Sequence, residues 1–204
     1  MSAQVGRGAL LAGVIAPPLF VIVFLVDGAI HPDYNAMTDY VSELSRGELG
    51  WLQVLNFIIL AVAMLTFAAG IRWGARRAPG STAGAIIFAI IGALLVVGAI
   101  FTTDPHTAKV SSTTGNIHDL AALSIFAGVA IACFVFARRF QSSMRTYSVA
   151  TGAFVVVAFI ALAPVGRSLG IMGVTQRVII IAGWAWITVL APALRAERAP
   201  TTAA

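Results

Sequence analysis

Six runs of about 20 apolar residues, near 9–30, 52–72, 82–102, 116–137, 147–166 and 174–194, occupy most of this 204-residue chain. A hydrocarbon core about 30 Å thick needs about that many residues per helix, so each run predicts one crossing of a bilayer. The expected fold class is therefore all-α: a polytopic membrane protein in which six transmembrane helices form a single domain over 1–204. Composition agrees, because 59% hydrophobic and only 10% charged residues cannot cover a protein surface with polar groups, and lipid must be the main solvent. The first run follows Arg7, is about 18 residues or longer and lacks a small-x-small exit, so it predicts a retained helix instead of a cleaved signal.

Charge placement gives the orientation. Nine of the thirteen Lys and Arg residues (Arg7, Arg72, Arg76, Arg77, Arg138, Arg139, Arg145, Arg195 and Arg198) fall on one side of the alternating pattern. Seven of the eight acidic residues fall on the other. The positive-inside rule predicts a multi-pass protein of the cell membrane with both termini cytoplasmic and 195–204 as a short disordered tail. Basic residues in short clusters at segment ends do not make the continuous stripe that nucleic acid requires, so membrane lipids are the expected partners. Cys133, the only cysteine, excludes an intrachain disulfide and a thiolate metal cluster. Gly6-Arg7-Gly8 has neither the preceding strand nor the third glycine of a dinucleotide site.

Within the helices, Pro17 and Pro18 each remove a backbone donor and predict a kink in the first. Pro164 is a further interruption. The connections 74–81 and 138–146 are short, so the second and third helices, and the fourth and fifth, should be antiparallel neighbours. Ala85, Ala89 and Ala93, with Gly84, Gly92 and Gly98 nearby, predict close helix packing on the third.

The candidate chemistry lies in the acidic, outward connections. In HPDYNAMTDYVSELSRGELG (31–50), Met37, Tyr40, Val41 and Leu44 stand at helical spacing over 36–45, with Asp39, Ser42 and Glu43 between them. That pattern predicts a short amphipathic interfacial helix, either flat on the membrane or folded back over the mouth of the bundle. In FTTDPHTAKVSSTTGNIHDL (101–120), Asp104 and His106 end the third helix, Thr113 and Thr114 suit caps of the fourth, and His118 and Asp119 sit in its first turn. Neighbours on a helix diverge by about 100°, so His118 and Asp119 cannot both point inward. His31, His106 and His118 all fall on this side and form a candidate ligand set for a divalent metal such as zinc, although no compact metal motif is present. Arg177, a few residues into the sixth helix, is expected to pair with Asp27, Asp104 or Asp119, or with a lipid or substrate phosphate. Lys109 and Arg46 are expected to be solvated.

The segments HPDYNAMTDYVSELS, FTTDPHT with TGNIHDL, and GVTQRV resemble the signature stretches of domain-of-unknown-function family 998, six-helix bacterial and archaeal membrane proteins, over nearly the whole chain. The resemblance implies functional positions at His31, Pro32, Tyr34, Tyr40, Ser42, Glu43 and Leu44, at Asp104 and His118, and at Arg177. Family members often carry an acidic residue where this chain has Gln176, a departure that removes a carboxylate there.

These residues support three classes of function. In the first, the outer face binds lipid headgroups or a metal, or modifies a lipid. His118 would then be base or ligand, Asp104 would orient it with Glu43 nearby, and Arg177, Tyr34, Tyr40 and Ser42 would hold the substrate. In the second, the same residues are a structural cap in a noncatalytic assembly or sensor subunit. The third, a transporter, lacks paired mid-membrane carboxylates and symmetric broken helices.

Overall fold

The computed structural model describes residues 3–74, 80–141 and 143–196. Arg76, Arg77, Pro79, Arg198 and the expected tail from 197 on lie outside them, as do the side chains of Ala3 and Ala163. Among the described residues the fold is helical throughout, and six helices are long and apolar enough to cross a membrane: Gln4–Ile30, Gly50–Gly74, Ser81–Ile100, Thr113–Ala137, Ser143–Ser168 and Met172–Ala196. They are called here the first to sixth spans. Large aliphatic side chains such as Ile15, Ile22, Val62, Ile90 and Ile131 are more than half exposed around the outside, as lipid contact requires.

Each span packs on the next in the sequence, and the sixth closes on the first and fifth. Arg7 donates from Nη2 to the Arg195 carbonyl at 3.1 Å, so the two ends of the described chain meet at one end of the bundle. The opposite end, the mouth, carries the connections 31–49, 101–112 and 169–171. Its interior is filled by interlocking rings, with Phe20 against Phe24, Phe57 and Trp184. The basic half is filled by Phe67, Phe88, Phe136 and Trp186. Trp186 there donates to Ser148 Oγ at 2.9 Å, so a polar group far from water is matched.

The first span does not break at its prolines. Pro17 and Pro18 stay inside helix Ala12–Ile30, and the interruption lies upstream at Leu10–Leu11, after helix Ala3–Ala9. The chain tightens there, with Leu11 and Gly13 donating three residues back. In the fifth span the turn before Pro164 widens into a π-helix over Ala158–Leu162.

Small residues do bring helices together as expected on the third span, most closely at Gly84 and Gly92, with Ala85 also buried. Ala93 is exposed and Ala89 half-buried, whereas a Cβ at Gly84 would lie 2.4 Å from the Phe136 ring and one at Gly92 2.8 Å from Leu65. The third span rolls so that glycine meets bulky partners. Gly6 has a packing role, since a Cβ there would lie 2.6 Å from the Gly74 nitrogen.

The first mouth connection folds back into the bundle. Only Val41–Ser45 is helical, as a 3-10 turn, and Val41, Ser42, Glu43 and Leu44 are all buried. The amphipathic pattern over 36–45 thus yields one tight turn whose apolar side chains plug the mouth.

Candidate functional site

The plug is held by the sixth span. Arg177 Nη1 donates to the carbonyls of Ala36 at 2.7 Å and Asp39 at 3.1 Å, Nη2 donates to the Tyr34 hydroxyl, and the guanidinium lies 5.4 Å from the Tyr34 ring centroid. The expected carboxylate partners are engaged elsewhere: Asp27 with His31, Asp104 with Ser112, and Asp119 exposed to the surroundings. Main-chain carbonyls replace them because the chain turns sharply around Asp33, at φ 56°, and Asn35, whose Oδ1 accepts from the Met37 N–H at 3.0 Å, so the carbonyls of 36–39 point at the span. Gly173 permits the approach: a Cβ there would stand 2.5 Å from the Asp39 oxygen and 2.7 Å from that of Ala36. One turn away, Gln176 Oε1 accepts from the Val41 N–H at 2.7 Å. Position 176 therefore has a role after all, because an amide oxygen supplies the acceptor that a carboxylate would. Burial pushes the Tyr34 phenol up to about 12, against the opposing pull of Arg177.

Glu43 ties this plug to the second mouth connection. One carboxylate oxygen accepts from the Tyr40 N–H at 2.9 Å and the other from the His106 N–H at 3.0 Å. His106 Nδ1 lies 3.3 Å from Glu43 and 3.4 Å from Asp39 Oδ1, between two carboxylates. Arg46 is not a solvated charge: it donates to the Thr103 carbonyl at 2.7 Å, and its own carbonyl faces His31 Nε2 at 3.1 Å. His31 Nδ1 is 3.2 Å from Asp27 Oδ1. Asp104 accepts from the Ser112 backbone at 2.6 Å and its hydroxyl at 2.9 Å, and those bonds, with Arg46 as a lesser contributor, hold its carboxyl below the ordinary 3.8. The cap of the fourth span is Ser112, one residue before the expected Thr113, with Oγ accepting from the Gly115 N–H at 3.0 Å.

His118 stands apart. It is buried, and its Nδ1 lies 2.8 Å from the Phe101 carbonyl oxygen and 3.1 Å from that of Gly98. Both carbonyls belong to the frayed end of the third span, where helix geometry supplies no donor. Two acceptors at Nδ1 require a hydrogen there, so in the neutral form of the ring Nε2 is the acceptor. Orientation of this imidazole thus falls to Gly98 and Phe101, and Asp104, expected to orient it, is occupied with Ser112. His118 lines a cavity of about 60 Å³ beneath the plug, walled by rings and aliphatic groups with Ser42, Gln176 and Trp184 among them.

The mouth therefore brings Tyr34, Arg177 and Gln176 into one cluster, Glu43, His106 and Asp39 into a second, and His31 with Asp27 into a third. Ser42 and His118 share the cavity. Tyr40 acts through its backbone, which bonds Glu43 and accepts from Tyr34 at 3.1 Å. The three histidines do not converge, and among the described residues no group of three or more His, Cys, Asp or Glu side chains could hold a metal ion. Trp184 was not legible as a site residue, because a tryptophan in an apolar run reads as packing; its buried indole N–H has no partner.

The profile of a family described as a protein of unknown function (DUF998) matches residues 14–193, from within the first span to near the end of the sixth. No curated protein and no solved structure matches.

Proposed function

The chain belongs to the DUF998 family, whose description assigns no activity, and on that premise we propose from its own side chains that it binds a membrane-derived amphiphile beneath the mouth plug. The observation that carries this reading is His118, an ionisable residue on a cavity wall with one ring nitrogen fixed by main-chain carbonyls and the other left as an acceptor. Polar groups surrounded by lipid-facing helices are costly unless matched, and a ligand is one way to match them. In this reading His118 is the group placed to accept a proton or hydrogen bond. Glu43, Asp104, Tyr34, Tyr40 and Arg177 shape the loops over it.

The mouth is read as the outer face, with the basic end and both termini in the cytoplasm of a cell-membrane protein, on the nine cations of that side. Tags in each connection of whole cells test it, and finding the 31–50 and 101–112 connections on opposite sides of the bilayer would refute it.

The binding role is tested by mass spectrometry of lipids that copurify with the wild type and with His118→Phe, compared at equal stability. One enriched species in the wild type, depleted in the variant, is the expected result. Bulk membrane composition in both would favour the second reading, a noncatalytic subunit with a structural cap. That alternative draws on Arg177, Glu43 and His31, whose polar atoms are already taken up by the loops themselves.

A further inference from the structure

The cavity specifies its ligand further than that. Among its lining residues there is no carboxylate, ammonium or guanidinium, and the nearby Arg177 and Glu43 are bonded to the loops. With His118 in its neutral form, a charged headgroup would have to leave water for a site with nothing to balance it, which costs far more than a hydrogen bond returns. The polar side chains that remain suit a neutral partner. In the neutral ring His118 Nε2 accepts, whereas the Trp184 indole N–H, though unpartnered, is sealed from the cavity. Ser42 can do either. A hydroxyl group, which donates one bond and accepts others, matches that set; a carboxylate or phosphate does not.

The walls give the route. Of the lining residues only Ala122, Phe126 and Gln176 are partly exposed, and they lie on the fourth and sixth spans, which barely touch one another. The fifth span stands between those two, and its π-helical turn brings Phe159 onto Phe126 at 4.9 Å. Beyond that contact the mouth-side half of the fifth span, from Ala158 on, packs chiefly on the sixth span and leaves the fourth. A volume of about 60 Å³ holds a head and a few carbons, roughly four waters' worth, and the rest of a chain must run out through this gap.

We infer that the cavity takes an uncharged long-chain alcohol, hydroxyl toward His118 and Ser42, entering from the bilayer past Phe126 of the fourth span and Phe159 of the fifth. This rests on the ligand-binding reading above and narrows it.

The test uses the full chain in nanodiscs and tritiated dodecan-1-ol, with unlabelled dodecan-1-ol, dodecanoate at about pH 8, where it is ionised, and dodecane as competitors. Saturable binding displaced by the alcohol alone is the expected result. His118→Phe should weaken it about tenfold, the loss of one buried hydrogen bond. Ala122→Trp, which touches no polar contact, should slow association without lowering the melting temperature. Equal displacement by dodecanoate, or unchanged association in Ala122→Trp, overturns the inference while leaving a ligand site in place. Absence of saturable binding, with no lipid enriched on purification, overturns both. If His118→Phe fails to fold, the competitor series on the wild type decides alone.

Discussion

Replacing Arg177 by methionine keeps the apolar stem of the side chain and removes the guanidinium fork that holds the plug. The fork makes three hydrogen bonds, to Ala36, Asp39 and Tyr34, and lies over the Tyr34 ring. Bonds from a charged donor contribute about 1.5–3 kcal/mol each. Against them stands the cost of keeping a guanidinium at 9% exposure, several kcal/mol after relaxation. Breaking such a network also leaves its partners buried and unmatched, so a net loss of about 3 kcal/mol is expected. That loss acts on opening of the plug and not on the whole bundle, because no span–span contact depends on it. The assay follows: in a Cys133→Ala background, a Val41→Cys reporter, at a position 1% exposed, is labelled by a maleimide only when the plug lifts. Arg177→Met should raise the labelling rate about 10²-fold. Arg177→Lys should fall between, since an ammonium cannot span both carbonyls and the ring in the same fork. A rate within about threefold of the parent, or 0.6 kcal/mol, would refute the assignment of Arg177 as the anchor.

Gly173→Ala should release the same plug by sterics, because its methyl would meet two main-chain oxygens closer than 3 Å; the Val41→Cys reporter should again be labelled faster with the sixth span intact by circular dichroism. Tyr34 supplies a pH signature. With its folded value at about 12 and its unfolded value at 10.0, the folded state holds the proton longer, so its stability contribution is complete below pH 10 and declines as pH rises toward 12. Tyr34→Phe should remove that decline in thermal melts, whatever its effect at neutral pH. Ser148→Ala leaves the Trp186 indole N–H without its acceptor in the basic half of the bundle. It should cost about 1 kcal/mol by reversible unfolding in mixed micelles, with alcohol binding unchanged.

Much of this architecture was legible in the chain. Six apolar runs of bilayer length give six spans, because in lipid every backbone group must be bonded within its own segment. The polar residues left over could only gather at the ends. The mouth residues His31, Tyr34, Glu43, Asp104, His118 and Arg177 were therefore identifiable from where they fall, and the divergence of His118 from Asp119 followed from helix geometry: the first is buried, the second exposed.

Pairing was not legible. A local pattern says that Arg177 needs partners but not that they are the carbonyls of Ala36 and Asp39, since main-chain oxygens are the same at every position and only the course of the loop aims two of them at one span. Close packing on the third span was legible from its small residues, Gly84 and Gly92 among them, but which of these meet a neighbour was not, because the rotation of a helix within lipid is fixed by the bulk of its neighbours, Phe136 and Leu65, more than 25 residues away in sequence on either side. Covalent order thus determined how many helices there are, where they end and which end is polar. Packing across spans determined which polar side chains are spent on holding the loops and which, such as His118, line a cavity.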